Sequence, residues 1–174
     1  MRSRTGPFTA ASALAAVGFL AVVCGTPSEE ARIKELIKDS VARAEKREVR
    51  ALMDFFAPEY SDFEGRDTEG TVRLITDYLD RFRGVVIHLL GARVGSIEPD
   101  GRASVECEVS LSHGAAEVLR KLIRYTGEYY RFRLDLRKTG RGEWRFTYAE
   151  WQSIGLADLF PESLDILRKL FPDL

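Results

Sequence analysis

The sequence predicts an α+β domain in which N-terminal helices pack against an antiparallel sheet. Two observations carry that class. Between residues 28 and 82 apolar side chains recur three and four apart, the spacing of one face of a helix; from Val85 to Ile154 the spacing falls to two, that of a strand with one buried face. Turns at Pro99-Asp100-Gly101 and Thr139-Gly140-Arg141-Gly142 divide the second stretch into two hairpins, with glycines free to adopt positive φ.

Thr26-Pro27-Ser28-Glu29 reads as a capping box: Thr26 at the N-cap, Pro27 at the first helical position and Glu29 at the third. The helix it opens carries Ile33, Leu36, Ile37, Val41 and Ala44 on one stripe. A shorter helical pattern follows at Val49, Leu52, Met53 and Phe56, separated by only two or three residues near Arg47, so the two patterns also read as one bent helix. Pro58 stops it. Tyr60 to Glu64 is a short strand or an extended loop. Asp67 or Thr68 caps a third helix with apolar positions Val72, Leu74, Ile75, Tyr78, Leu79 and Phe82, and Gly84 ends it. The strands are Val85–Ile97, Arg102–His113, Tyr129–Lys138 and Trp144–Ile154. Between the hairpins, residues 114–126 read as a helix with Ala115, Val118, Leu119, Leu122 and Ile123 on one side, either closing the core or covering a cavity. A last short helix after Pro161 carries Leu164, Leu167, Leu170 and Phe171.

The first residues have a different character. Arg2 and Arg4 precede the uncharged run Phe8–Val23, the order of a secretory signal peptide. A run of about 16 residues is short for a spanning helix, which needs roughly 20. Leu20-Ala21-Val22-Val23-Cys24 resembles the lipobox of bacterial lipoproteins, in which the cysteine is lipidated, although Val23 stands where a small residue is usual. Ordinary cleavage near Gly25 and an uncleaved anchor are the competing readings. The domain division is therefore residues 1–23 as signal peptide, 24–27 as tether and 28–174 as the folded domain. The expected place is the bacterial cell envelope, exported, with a membrane attachment through lipid on Cys24.

The chain has 26 basic and 27 acidic residues among 174, well mixed, and no basic face of the kind nucleic acid requires. Its two cysteines, Cys24 and Cys107, leave no disulfide if Cys24 carries lipid. Cys107 lies in the alternating run Ala103, Val105, Cys107, Val109, Leu111 and reads as a small buried hydrophobe. His88 and His113 with these cysteines show no metal-ligand spacing, and neither a metal nor a cofactor is expected.

Helices first, a short extended piece, a third helix and four long antiparallel strands is an order that resembles the nuclear transport factor 2-like fold, also called ketosteroid-isomerase-like or SnoaL-like. The resemblance spans about residues 28–154. Its local carriers are Phe55-Phe56-Ala57-Pro58-Glu59-Tyr60 and the last strand from Gly142 through Trp144, Phe146, Tyr148 and Glu150 to Trp151. It implies a curved antiparallel sheet wrapped around the long helix, a cone-shaped, cystatin-like roll with a cavity at its open end. In the family's enzymes an acid, often with a tyrosine or histidine, moves a proton beside a carbonyl there, which needs a carboxylate tuned by an apolar pocket and a donor for the developing oxyanion.

Candidate pocket residues follow. Trp144, Phe146 and Tyr148 alternate onto one face of the last strand and Glu150 falls next, so Glu150 is the leading acid; a bulge would flip the register and bring Trp151 inward instead. Asp62 is the second acid. His88 lies where both strand faces are apolar, Tyr60 follows the family position at the cavity mouth, and Tyr78 and Tyr130 share apolar faces. Each has a plain structural reading beside the functional one: a salt-bridged strand end, a core histidine, a packed tyrosine with its hydroxyl satisfied. No complete catalytic set of the family matches, so no catalytic residue is assigned. Arg131, Arg133 and Arg137 alternate outward with Tyr129 and Asp135, either as a surface for an anionic ligand or as a ladder against Glu106 and Glu108 of the neighbouring strand.

The expected function is a non-catalytic envelope domain that binds a small apolar ligand or a protein partner, a homodimer through the sheet face included. The alternative is an isomerase-, cyclase- or dehydratase-type enzyme with a pocket carboxylate as general base. An apolar cavity without an acid favours binding. Glu150 or Asp62 lining a closed cavity favours the enzyme, and a filled cone with an apolar exposed sheet favours assembly.

Overall fold

The computed structural model describes residues 27–113 and 127–159. The leader, the 114–126 segment and the expected C-terminal helix lie outside the described residues. Helix α1 (Glu29–Glu45) begins two residues later than the capping box implies: Ser28 is the N-cap, its Oγ accepting from Ala31 N at 3.2 Å, and Glu29 turns away toward the sheet. A distinct α2 (Val49–Leu52) follows a break at Arg47, whose φ of 60° is the left-handed conformation that interrupts the helix. The Arg47 guanidinium makes use of that break. It donates to Leu79 O at 2.5 Å and Phe82 O at 2.9 Å, satisfying carbonyls at the end of the third helix.

A 3₁₀ turn (Met53–Phe55) leads into β1 (Phe56–Asp62), which begins before Pro58 rather than after it. Proline is tolerated because β1 is an edge strand. Helix α3 (Thr68–Arg81) is capped by Asp67, which accepts from Gly70 N at 2.8 Å. Strands β2 (Val86–Ile97), β3 (Arg102–Ser112), β4 (Glu128–Lys138) and β5 (Trp144–Ile154) follow, with a single helical turn α4 (Leu156–Leu159) after them. The turns need their glycines: Gly101 and Gly142 have φ near 80°.

The sheet order is β1-β5-β4-β3-β2. Four strands pair antiparallel, and β1 joins β5 in parallel as a fifth. Two bulges matter for the site. On β5 Thr147 is the extra residue, since Leu136 faces Phe146 and Asp135 faces Tyr148; on β2 Leu90 is extra between Leu89, opposite Val109, and Gly91, opposite Glu108. One face of the sheet packs on α1 through Ile33 and Ile37, together with Val105, Cys107, Leu136, Trp144 and Phe146. Each fully buried isoleucine contributes about 1.5–3 kcal/mol.

Candidate functional site

The helices do not fill the concave face of the sheet. A cavity of about 350 Å³ remains, in the range of small-molecule sites. Helix α1 supplies Ile37, Ser40, Val41 and Ala44 to its wall, and α3 supplies Thr71, Leu74, Ile75, Tyr78 and Leu79. From the sheet come Cys107, Val109 and Leu111 of β3, Tyr130, Phe132 and Leu134 of β4, and Phe146, Ala149 and Trp151 of β5. Phe56 and Tyr60 close the β1 side, with ring centroids 4.4 Å apart in an edge-on arrangement. Leu74 is a wall residue and 39% exposed, so the cavity reaches solvent beside α3. No aspartate or glutamate lines it among the described residues.

The bulge at Thr147 decides that composition. Before it, Trp144 and Phe146 face inward; after it, Ala149 and Trp151 do, leaving Tyr148 and Glu150 on the outer face. Glu150 and Tyr148 are thus outside the pocket, where simple alternation from Phe146 would have put them inside. Glu150 stands opposite Arg133. His88 is also displaced from the candidate pocket: Ile87 lines the cavity, and His88 lies on the opposite face against Ser110, its Nε2 buried without a hydrogen-bond partner.

Asp62 has a structural setting. Its side chain is fully buried and accepts from Glu64 N and Arg66 N, both at 2.9 Å, from Arg66 Nε at 2.6 Å and from Thr71 Oγ1 at 3.3 Å. Those four bonds tie the β1–α3 loop to the first turn of α3. With so many donors spent on it, the carboxylate closes a turn and does not line the cavity.

Three of the candidate residues, Tyr60, Tyr78 and Tyr130, line the cavity together, in two different environments. Tyr60 is deep, 3% exposed, not at the mouth, and its hydroxyl has no hydrogen-bond partner among the described residues. Burial pushes its pKa up to about 12, with the nearby Thr71 hydroxyl acting in the opposite sense; Thr71 donates its own proton to Asp62 and makes no bond of hydrogen-bonding geometry to Tyr60. Tyr78 and Tyr130 instead converge on Glu128, the first residue of β4. Tyr130 Oη donates to Glu128 Oε2 at 2.9 Å, and Tyr78 Oη lies 3.5 Å from the same oxygen. Burial first, and the Glu128 charge second, lift Tyr78 to about 12; burial and the bond to Glu128 raise Tyr130. Glu128 lies just outside the strand that the sequence predicts from Tyr129, and so outside its alternating pattern. Carried back one residue, the alternation Phe132, Tyr130, Glu128 puts it on the inner face, at the exposed end.

Cys107 lines the cavity and is 3% exposed; burial, then the charges of Glu108 and Glu106, push its thiol up to about 12. It is an inert wall residue. The outer face carries the charge ladder: Arg93 bonds Glu106 at 2.6 Å and Glu108 at 3.0 Å, and Arg131 lies 3.4 Å from Glu108. Arg131 and Arg133 are thereby paired with the acids of β3, whereas Arg137 stands opposite Arg102 and meets Glu59 of β1 instead. Among the described residues no group of three or more histidine, cysteine, aspartate or glutamate side chains could hold a metal.

No protein-family model matches the chain, and no curated protein matches it. Solved structures do. A cystatin-like protein of unknown function from Nostoc punctiforme superposes with a TM-score of 0.59 at 18% identity, over 75% of this chain and 95% of that one. A protein from Novosphingobium aromaticivorans, provisionally assigned as a scytalone dehydratase, gives 0.58 at 17% identity over 73% and 85%. ActVI-ORFA from Streptomyces coelicolor gives 0.56 at 11% identity over 75% and 99%. The fold is that of nuclear transport factor 2-like, cystatin-like proteins, an architecture that carries many unrelated activities.

Proposed function

We propose that the domain is a receptor that takes a small apolar ligand into the cone. The observation that carries this reading is the cavity itself: open, about 350 Å³, walled by aliphatic and aromatic side chains from both helices and sheet, with no carboxylate in the wall among the described residues. Proton transfer beside a carbonyl requires a base within reach of the bound atom, and both acids singled out from the sequence stand elsewhere, Asp62 in a loop and Glu150 on the outer face. The charged ladder on that outer face supports the cavity, not the sheet surface, as the working part. Native mass spectrometry of the chain purified without detergent tests it. The expected spectrum has a reproducible adduct that departs on denaturation. A clean unliganded mass, together with no binding of butylbenzene, overturns the reading.

A second reading has one observation in its favour. Glu128, held by Tyr130 and beside Tyr78, is a carboxylate at the edge of the cavity and the natural base if the domain is an isomerase-, cyclase- or dehydratase-type enzyme. Turnover of a bound ligand that stops in Glu128→Gln distinguishes it from simple binding.

The leader adds location to the proposal. A basic start, an uncharged run and Cys24 support export to the cell envelope with a lipid on Cys24. Labelled palmitate enters the wild type and not Cys24→Ser if this is correct; equal labelling of both sinks it.

A further inference from the structure

We propose that the cavity selects a two-ended ligand: an inner end with a hydrogen-bond acceptor of carbonyl type, received by Tyr60, and an outer end that is not anionic, received by Glu128 between Tyr78 and Tyr130. The inference rests on the receptor reading and adds the polarity of the ligand to it.

The inner end is argued from an unmet donor. Tyr60 lines the cavity, is almost wholly buried and has a hydroxyl without a partner. A buried polar group left unbonded costs stability, and native proteins rarely leave one so unless something else supplies the bond. Among the described residues nothing does. The one adjacent hydroxyl, Thr71, spends its proton on Asp62 at 3.3 Å and, though its lone pairs remain, makes no bond of hydrogen-bonding geometry with Tyr60; the four donors on Asp62 leave that carboxylate occupied. The rest of the nearby wall, Phe56, Phe146 and Ala149, has no side-chain acceptor. A phenol with a raised pKa keeps its proton at neutral pH and is therefore a donor, suited to a ligand oxygen with lone pairs.

The outer end is argued from charge. Glu128 is exposed and receives Tyr130 at 2.9 Å, with Tyr78 at 3.5 Å from the same oxygen, so its other carboxylate oxygen keeps lone pairs free of these two hydroxyls. An alcohol or amine on the ligand is a donor to it, whereas a carboxylate or phosphate in the same place meets like charge. The two ends lie apart along the sheet. Ser61, next to Tyr60, pairs with Tyr148, while Tyr130 pairs with Ser153; five strand residues correspond to roughly 16 Å. A single wall of mainly apolar side chains connects them.

Three ten-carbon probes of closely similar size separate the claims when titrated into the full chain by NMR: butylbenzene, its ketone counterpart butyrophenone, and 4-phenylbutyrate. Butyrophenone is expected to bind about tenfold more tightly than butylbenzene, the usual worth of one buried hydrogen bond. In Tyr60→Phe that gain disappears while butylbenzene binding is unchanged. 4-Phenylbutyrate is expected to bind more weakly than butylbenzene and to recover in Glu128→Gln. Butylbenzene binding with no ketone advantage, or an advantage that survives in Tyr60→Phe, overturns the inner half; a carboxylate that binds as well as the hydrocarbon overturns the outer half. In both cases the receptor reading stands. If none of the three binds, the receptor reading fails and the inference with it.

Discussion

The Trp144 indole N–H donates to Glu29 Oε2 at 2.8 Å, joining the first turn of α1 to the first residue of β5. Lys138 Nζ reaches the other oxygen of the same carboxylate, also at 2.8 Å. The bonds from Lys138 and Trp144, in that order, hold the Glu29 carboxyl below its ordinary 4.5 against a smaller opposing effect of burial. Its folded pKa is lower than its unfolded one, so its contribution is present above pH 4.5 and lost as the pH falls through the lowered value. Melting temperatures of wild type and Glu29→Gln are expected to differ at neutral pH and to converge below pH 4.5. A constant difference across that range contradicts the linkage.

Tyr60→Phe is expected to be neutral or to stabilise the unliganded protein by up to about 1 kcal/mol, because it removes a buried hydroxyl that has no partner. The alkaline limb carries a second sign of the same residue. Its hydroxyl ionises near 10.0 when unfolded and near 12 when folded, so wild-type stability falls as the pH rises between those values. Tyr78 has the same window and keeps part of the slope in the variant. Urea midpoints at pH 9, 10 and 11 should fall less steeply in Tyr60→Phe.

Asp62→Ala removes one acceptor from four donors and leaves Arg66 without its buried counter-charge. A loss of about 1–3 kcal/mol follows from the donors left unmet, Arg66 being part-exposed and still paired with Glu64. A urea midpoint close to wild type contradicts the role of Asp62 as the tie of the β1–α3 loop.

Cys107 should be nearly inert in the folded state. With its thiol near 12 instead of 9.0, the thiolate fraction at pH 8 drops about 1,000-fold before access is considered. Measured in a Cys24→Ser background, reaction with a thiol reagent should be slower in buffer than in urea by at least that factor. Rapid native modification refutes the assignment as a wall residue.

Glu150→Ala should leave butylbenzene binding unchanged, since the residue faces Arg133 across the outer surface. Trp151→Ala, which removes an indole from the cavity wall, should weaken it at least tenfold. The reverse pattern would restore the strand register that the bulge rules out.

Element type and order were legible in the sequence because periodicity is a direct record of which face is buried, and α1, α3 and four strands follow it closely. β1 was only half legible, since Pro58 argues against a central strand and says little about an edge one. Tyr78 and Tyr130 sit on stretches whose apolar pattern is unbroken, whereas Tyr60 lies on irregular β1, where the pairing shifts between Phe56 and Ser61. Glu150, Tyr148 and His88 do not line the cavity: the first two follow the Thr147 bulge, and His88 shares its strand with two apolar faces. A bulge is an extra residue in the pairing with a neighbour, so it leaves little trace in one strand read alone. The Glu128 contact with Tyr78 is unreadable for another reason, as it joins residues fifty apart on different elements.

The extra residue at Thr147 behaves like a frameshift written in side chains. Tyr148, Ala149, Glu150 and Trp151 contain two alternative linings, a phenol with an acid or a methyl with an indole, and the phase of one strand selects between them. The neutral lining that β5 gives this cone is therefore set by how β5 counts against β4, without any change in the four residues themselves.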